Sequence, residues 1–426
     1  MASFTVEKTK YLNGKINTHG SKNSALPIMA ASILSDKKSL ISSVPKISDT
    51  ENMKQLLESL GFLCNFEKNI LSVTPSKKIS VKAKEDISGK LRGSFLVAGP
   101  LLASFGEAII GYPGGCSIGS RPIDLHLKGF EALGAKTEIK QGYIRLCCDK
   151  LKGAPIYLDF PSVGATENLL MASVLAEGET VIENAAAEPE ITDLADCLCE
   201  MGAEISGIGT DKLKIRGVKK LNGINHRIIP DRIEAGTFMA AITAVGGEAV
   251  ISNVIPDHLK PITAKLRETG AEITEEENSI RISSSGNLKP SDIITLPHPG
   301  FPTDMQASYS VILSRAKGTG LITESVFESR FGHLAEMKKM GAQVKIDGRC
   351  AVIEGGTLSG AKVNASDLRA GAALVIAGLC ASGETTVNNA ELILRGYEDF
   401  DIQLKNLGAN CCVSLKKEKS EVSDFS

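Results

Sequence analysis

The residues best equipped for chemistry in this chain recur at one phase. Arg92 precedes Gly106 by 14 residues, Arg232 precedes Gly247 by 15, Arg369 precedes Gly383 by 14, and Lys22 precedes Lys37 by 15. One acid, Asp304 in Pro302-Thr303-Asp304-Met305-Gln306, holds the same phase 14 residues before Gly318, and Ser162-Val163-Gly164 takes the position in another unit. Each of these positions opens an apolar stretch that reads as a helix. A helix N-terminus presents unpaired N–H groups and a partial positive charge, so several such ends flanked by Lys or Arg make a site for phosphate or carboxylate. The expected ligand carries several negative charges. Asp304 has two readings: an N-terminal cap, or a general base that its cationic neighbours keep ionised.

A second constellation lies in Tyr112-Pro113-Gly114-Gly115-Cys116-Ser117-Ile118-Gly119-Ser120-Arg121-Pro122-Ile123-Asp124-Leu125-His126. Three glycines and two prolines make this a loop able to approach a ligand closely, and its length suits a lid. An isolated Cys is usually a buried inert thiol. Cys116, flanked by Gly and Ser with Arg121 nearby, is expected instead to be exposed and reactive.

The elements that must position these groups come from an internal repeat. A helix-like segment ending in Gly recurs at Leu60-Gly61, Leu133-Gly134, Met201-Gly202, Thr269-Gly270, Met340-Gly341 and Leu407-Gly408, at spacings of 67 to 73 residues. The Gly is the left-handed residue that ends a helix, and a strand, turn and strand follow it. Out of phase with it runs an almost wholly apolar helix such as Ala235 to Val245 or Ala370 to Ala381, then a turn and a strand. Helices apolar on every side must be buried. The pattern predicts an α/β fold of six units of about 70 residues, each helix, strand, helix, strand, strand. A six-unit solenoid is the alternative. With 426 residues, more than one core is expected. The units divide three plus three around the interruption at Gly217 to Pro230, so the charged helix starts of two domains face each other across a cleft.

Composition bounds the rest. A net charge of −2 provides no global field for nucleic acid, so none is expected as a partner. Met1 leads straight into Phe4-Thr5-Val6-Glu7-Lys8 without a secretory pattern, and the run Ala370 to Ala381 is short of the roughly 18 residues of a membrane helix. The expectation is a cytoplasmic chain with no membrane span. Ten Cys without zinc-type spacing suit reduced thiols and no metal site.

The Gly-Gly-Cys loop, with Ser21-Lys22-Asn23-Ser24, Phe301-Pro302-Thr303-Asp304-Met305-Gln306 and Glu328-Ser329-Arg330-Phe331, resembles the enolpyruvyl transferase family over about residues 1 to 415. The loop is specific to the branch of that family with a nucleotide-sugar acceptor. The resemblance implies a two-domain inside-out α/β barrel with residues 22–229 in one domain, residues 1–21 and 230–426 in the other, and 416–426 as a flexible tail. It also implies enolpyruvyl transfer from phosphoenolpyruvate to UDP-N-acetylglucosamine, with no cofactor. Carried over by motif, Lys22, Arg121 and Arg395 would bind phosphoenolpyruvate, with Arg92, Arg330 and Arg369 in the same pocket. Asn23 would meet the sugar, Arg121, Pro122, Ile123, Asp124 and Leu125 the uridine, Ser162, Val163 and Gly164 the diphosphate, and Val326 the nucleotide-sugar through its backbone. Asp304 would face the acceptor hydroxyl and Cys116 would be the acid. Phe160 and Ala187 stand where relatives often carry a basic residue, which leaves the diphosphate to backbone N–H groups. Rivals are a sister enzyme acting on shikimate 3-phosphate, which has no need of the Cys116 loop, and a silent nucleotide-sugar-binding paralogue, against which the joint presence of Lys22, Cys116, Asp304, Arg369 and Arg395 argues.

Overall fold

The computed structural model describes residues 2–84, 92–111 and 123–415, the side chains of Arg92 and Leu415 excepted. Cys116, Arg121 and Pro122, with the rest of residues 112–122, and the tail 416–426 lie outside the described residues.

Apolar helices occupy the middle of the molecule: Lys22–Ala31, Ala98–Phe105, Val163–Ser173, Arg232–Val245, Gln306–Arg315 and Leu368–Cys380. Every residue of Arg232–Val245 is buried. Small residues let these helices lie close, and in Arg232–Val245 the hydroxyls of Thr237 and Thr243 donate to the carbonyls of Ile233 and Met239 at 2.7 and 2.8 Å. Truncating a fully buried member such as Leu374 to Ala would cost about 2–5 kcal/mol, because the surrounding helices cannot close the gap.

The strands lie outside these helices in five four-stranded sheets and one three-stranded sheet among the described residues, with no closed barrel wall. One unit shows the pattern: Pro155–Tyr157, the buried helix, Glu179–Glu183, the amphipathic helix Pro189–Glu200, Glu204–Ser206 and Lys212–Arg216. Pro155–Tyr157 is parallel to Glu179–Glu183, with the buried helix as the crossover, and the later strands add antiparallel. The residue closing each amphipathic helix is a glycine in the left-handed region: Gly61, Gly134, Gly202, Gly270, Gly341 and Gly408 all have φ between 90 and 105°. A side chain there would be strained, which is why the repeat is visible at this residue.

The apolar side chains form two separate clusters. One draws on residues from Ala25 to Ile228, the other on Ala2 to Ile16 together with Ile233 to Cys411. The chain passes between them twice, side by side. Asp231 N–H donates to the His19 carbonyl at 2.9 Å and Ser21 N–H to the Ile229 carbonyl at 2.7 Å. At Gly20 a Cβ would sit 1.8 Å from the Ser43 carbonyl oxygen, so only glycine fits. The N-terminal strands complete sheets of the second cluster: Ala2–Glu7 pairs with Glu384–Asn388 and Cys411–Leu415, and Leu12–Asn17 with Gly247–Ser252. No described helix is long and apolar enough to cross a membrane.

Candidate functional site

The charged phase falls at the starts of the buried helices. Lys22 opens Lys22–Ala31, Arg92 opens the 3-10 segment ahead of Ala98–Phe105, Val163 follows Ser162, Arg232 opens its helix, Asp304 lies in the 3-10 turn Thr303–Met305 ahead of Gln306–Arg315, and Arg369 is the second residue of Leu368–Cys380. What their side chains do differs.

Asp304 is gripped from two sides. Arg330 Nη2 donates to its Oδ1 at 2.7 Å, and Arg369 Nη2 and Nε donate to its Oδ2 at 3.0 and 3.2 Å. The two arginines are 6% and 3% exposed, the carboxylate 24%, so the aspartate is the part of this group that faces outward. Burial alone would raise its pKa, but Arg330, Arg369 and Lys22 together hold it well below the usual carboxylate range. It makes no capping bond to the helix that follows. Capping is done elsewhere by Asp231 and Asp367, each of which accepts two backbone N–H groups. The cap reading of Asp304 therefore fails, because its oxygens are spent on guanidinium groups. Arg369 also lies over the Tyr397 ring, 5.2 Å from its centroid, and Arg330 over Phe327 at 5.5 Å.

A second carboxylate, Asp49, has no place in the sequence reading. It is buried in the first turn of Ser48–Leu60 and receives Lys22 Nζ at 3.4 Å and Arg395 Nε at 2.9 Å. Lys22 and Asp49 belong to the first cluster's helices, while Arg395 comes from the segment Ala390–Arg395 of the second. An acid in a helix's first turn looks like a dipole partner, so only tertiary contact marks Asp49.

Arg232 departs from the expectation of a ligand contact. Its Nε and Nη2 bind the two carboxylate oxygens of Glu190 at 3.0 and 3.2 Å, and both side chains are buried. Being placed at a helix start fixes where an arginine begins, not where its guanidinium ends.

The Ser162 turn is built from below. Thr166 Oγ1 donates to the Ser162 carbonyl at 2.9 Å and accepts Ala186 N–H at 3.0 Å. Ser162 N–H turns back to the Phe160 carbonyl. The helix leaves Val163 and Gly164 N–H without intrahelical acceptors, so these two, rather than Ser162, are the donors the turn offers. His126 closes the side: a Cβ on Gly164 would be 3.3 Å from its ring, which packs edge-on against Phe95 and lies 3.1 Å from Asn168 Nδ2. Ile123 is buried, Asp124 is exposed and Leu125 half-buried at the head of Asp124–Ala132. Asn23 is half-buried beside Lys22.

Val326 donates its N–H to Glu324 Oε1 at 2.9 Å, so its carbonyl is the backbone group left for a ligand. Among the described residues one trio, His19, Glu398 and Asp399, brings possible metal-ligand atoms within 4.8 Å. It is already spoken for: His19 Nδ1 lies 2.9 Å from Glu234 Oε1, and Glu398 accepts Lys46 N–H at 2.7 Å and the Asn69 amide. All described cysteines are free thiols.

A family model described as EPSP synthase (3-phosphoshikimate 1-carboxyvinyltransferase) matches residues 6–404. UDP-N-acetylglucosamine 1-carboxyvinyltransferase 2 of Carboxydothermus hydrogenoformans is 52% identical over 412 residues, 96% of this chain and 98% of that protein. UDP-N-acetylglucosamine 1-carboxyvinyltransferase 1 of Caldanaerobacter subterraneus subsp. tengcongensis is 52% identical over 407 residues, 95% and 98% of the two chains. Among solved structures, the enolpyruvyl transferase NikO from Streptomyces tendae superposes with a TM-score of 0.88 at 24% identity, covering 97% of this chain and 99% of that one. EPSP synthase from Acinetobacter baumannii gives 0.77 at 20% identity, with 97% and 100% coverage. At these identities the structures establish the arrangement of the chain alone.

Proposed function

Because the chain belongs to the EPSP synthase (3-phosphoshikimate 1-carboxyvinyltransferase) family, we propose that it is a transferase that moves the enolpyruvyl group of phosphoenolpyruvate to the 3-hydroxyl of UDP-N-acetylglucosamine. Phosphate is released, and the product is committed to peptidoglycan synthesis. The observation that carries the choice of acceptor is half identity, over nearly the whole chain, to relatives whose names contain that nucleotide-sugar.

The described residues suit this reading, and Cys116 enters it by resemblance alone. Phosphoenolpyruvate has a carboxylate and a phosphate, and Lys22 and Arg395 are the partly exposed cations for them, with Arg121 added by resemblance. Val163 and Gly164 N–H suit a diphosphate at a helix start. The sugar oxygen bonds to C2 of phosphoenolpyruvate as its proton passes to Asp304, and C3 takes a proton from Cys116. Arg330, Arg369 and Lys22 make Asp304 a weak base, so it accepts the proton only as the forming C–O bond makes the hydroxyl acidic. A proton then leaves the new C3 methyl, the C2–O bond to phosphate breaks, and the double bond returns. Arg330 and Arg369, with Arg92 added by resemblance, balance the charge around this centre. The two apolar clusters support a division into lobes at residues 229 and 230, with 1–21 in the second, and substrates of this kind place the work in the cytoplasm.

Phosphate release is measured with UDP-N-acetylglucosamine and, separately, with shikimate 3-phosphate. Release with the first alone is expected. Release with the second alone would move the chain to the sister reaction, and release with neither would make it a binding paralogue. In heavy water the product's vinyl carbon should gain deuterium, because the intermediate methyl group can lose a different hydrogen.

A further inference from the structure

Behind Asp304 lies a carboxylate with no part in the steps above. Glu324 is fully buried, and among the described residues it forms no ion pair. Its oxygens are met by neutral donors. Oε1 accepts Thr295 Oγ1 at 2.7 Å, Val326 N–H at 2.9 Å and Phe327 N–H at 3.1 Å, while Oε2 accepts Thr303 Oγ1 at 2.8 Å. Thr303 in turn accepts Arg330 Nη1 at 3.0 Å, and Arg330 Nη2 reaches Asp304 at 2.7 Å.

The direction of every bond in this chain is forced. Arg330 can only donate, so the Thr303 oxygen is the acceptor there and its single proton must go to Glu324. Glu324 accepts at both oxygens, Oε2 from Thr303 and Oε1 from Thr295 and two backbone N–H groups. We infer that Glu324 is a positioning residue for the transfer proposed above, fixing the Thr303 hydroxyl so that Arg330 meets Asp304 in one geometry and the Val326 segment stays beside it. A glutamine cannot substitute. Three donors at Oε1 require its oxygen there, which turns its NH2 toward Thr303, and the hydroxyl oxygen then faces two donors while its own proton loses its acceptor.

The role rests on the proposed transfer, and the test separates the two. Thr303→Val removes the link but leaves the other three bonds to Glu324. Glu324→Gln reverses the link, and Thr303→Ser keeps it. For each full-length variant kcat, KM for both substrates, the pH profile of kcat/KM and Tm are measured. Thr303→Val and Glu324→Gln should each lose about 10-fold in kcat, with the double variant no worse than the poorer single. Thr303→Ser should recover most of that loss. The acid limb of the profile should move up in both disruptive variants, because Arg330 would no longer be held against Asp304, leaving Arg369, Lys22 and the more distant Arg232 as its cations. KM for phosphoenolpyruvate should change less than kcat, since the ion pairs of Asp49 with Lys22 and Arg395 make no hydrogen bond to Thr303 or Glu324. A fall in Tm alone, or single losses that multiply in the double variant, overturns the role. If Glu324→Gln does not fold, Thr303→Val decides by itself. Wild-type protein inactive with both substrates overturns the transfer and the role together.

Discussion

Asp49 and Asp304 each sit between two cations, yet the two groups are made differently. Asp304, Arg330 and Arg369 all come from the second cluster, the arginines are nearly inaccessible, and backbone and side-chain partners hold each one. Asp49 with Lys22 joins the two clusters through Arg395, which is 38% exposed. Charges in low dielectric interact strongly and resist salt, whereas exposed pairs are screened within about 10 Å at 0.1 M salt. The first group is set before any ligand arrives. The second can exchange Asp49 for an anionic ligand, and its geometry depends on how the clusters meet. The difference suits fixed acid–base chemistry in one place and substrate capture in the other.

The largest effect is expected from Asp304→Asn. The amide fills the same space but takes up no proton, so kcat should fall on the order of 10³-fold while nucleotide-sugar binding measured by calorimetry persists. Near-normal turnover would reduce Asp304 to a structural partner of the arginines. Next in size is Arg395→Lys, which keeps charge and loses the fork. It should lower kcat/KM for phosphoenolpyruvate by roughly 10-fold with kcat less affected, because a point charge orients a carboxylate poorly. A loss confined to kcat would mean that Arg395 acts on the transition state instead.

A smaller effect should come from salt. Raising ionic strength from 0.05 to about 0.5 M should increase KM for phosphoenolpyruvate several-fold and leave kcat nearly unchanged, since Arg395, 38% exposed, is the cation that salt reaches most readily. Equal sensitivity of the two parameters would erase the distinction drawn between them.

The smallest expected effect concerns stability at the crossing beside these groups. Burial would lower the pKa of His19, but Glu234, Glu398 and Asp399 raise it to about 9. His226 in the first cluster is likewise raised to about 9 by Asp193 and Glu200 against burial. A raised histidine stabilises the fold fully below its unfolded value of 6.5 and loses that contribution as pH rises through 9. Stability should therefore decline between these limits, by on the order of 1 kcal/mol per histidine. Urea melts of His19→Gln should show roughly half the wild-type slope, with His226 supplying the rest. An unchanged slope would mean that His19 is neutral in the folded protein.

Local patterning along the chain is enough to establish the repeat, the helices that must be buried and the residues that begin them. Those follow from local causes: a left-handed glycine is needed wherever a helix ends in this way, and a helix without a polar face has nowhere to lie but inside. It also placed Asp304 and Arg369 at equivalent helix starts, which the fold brings to 3.0 Å of each other. The fate of a long side chain was decided only by tertiary structure. Arg232 shares the phase of Arg369, but it meets Glu190, because the partner within reach comes from a helix distant in sequence. Asp49 and Glu324 escaped notice for the same reason. One resembles a helix-dipole acid and the other a polar strand end, and they gain their roles from donors as far as 346 residues away for Asp49 and 29 for Glu324. Burial turns such contacts from optional to obligatory, and no local pattern in a sequence records which groups will be buried together.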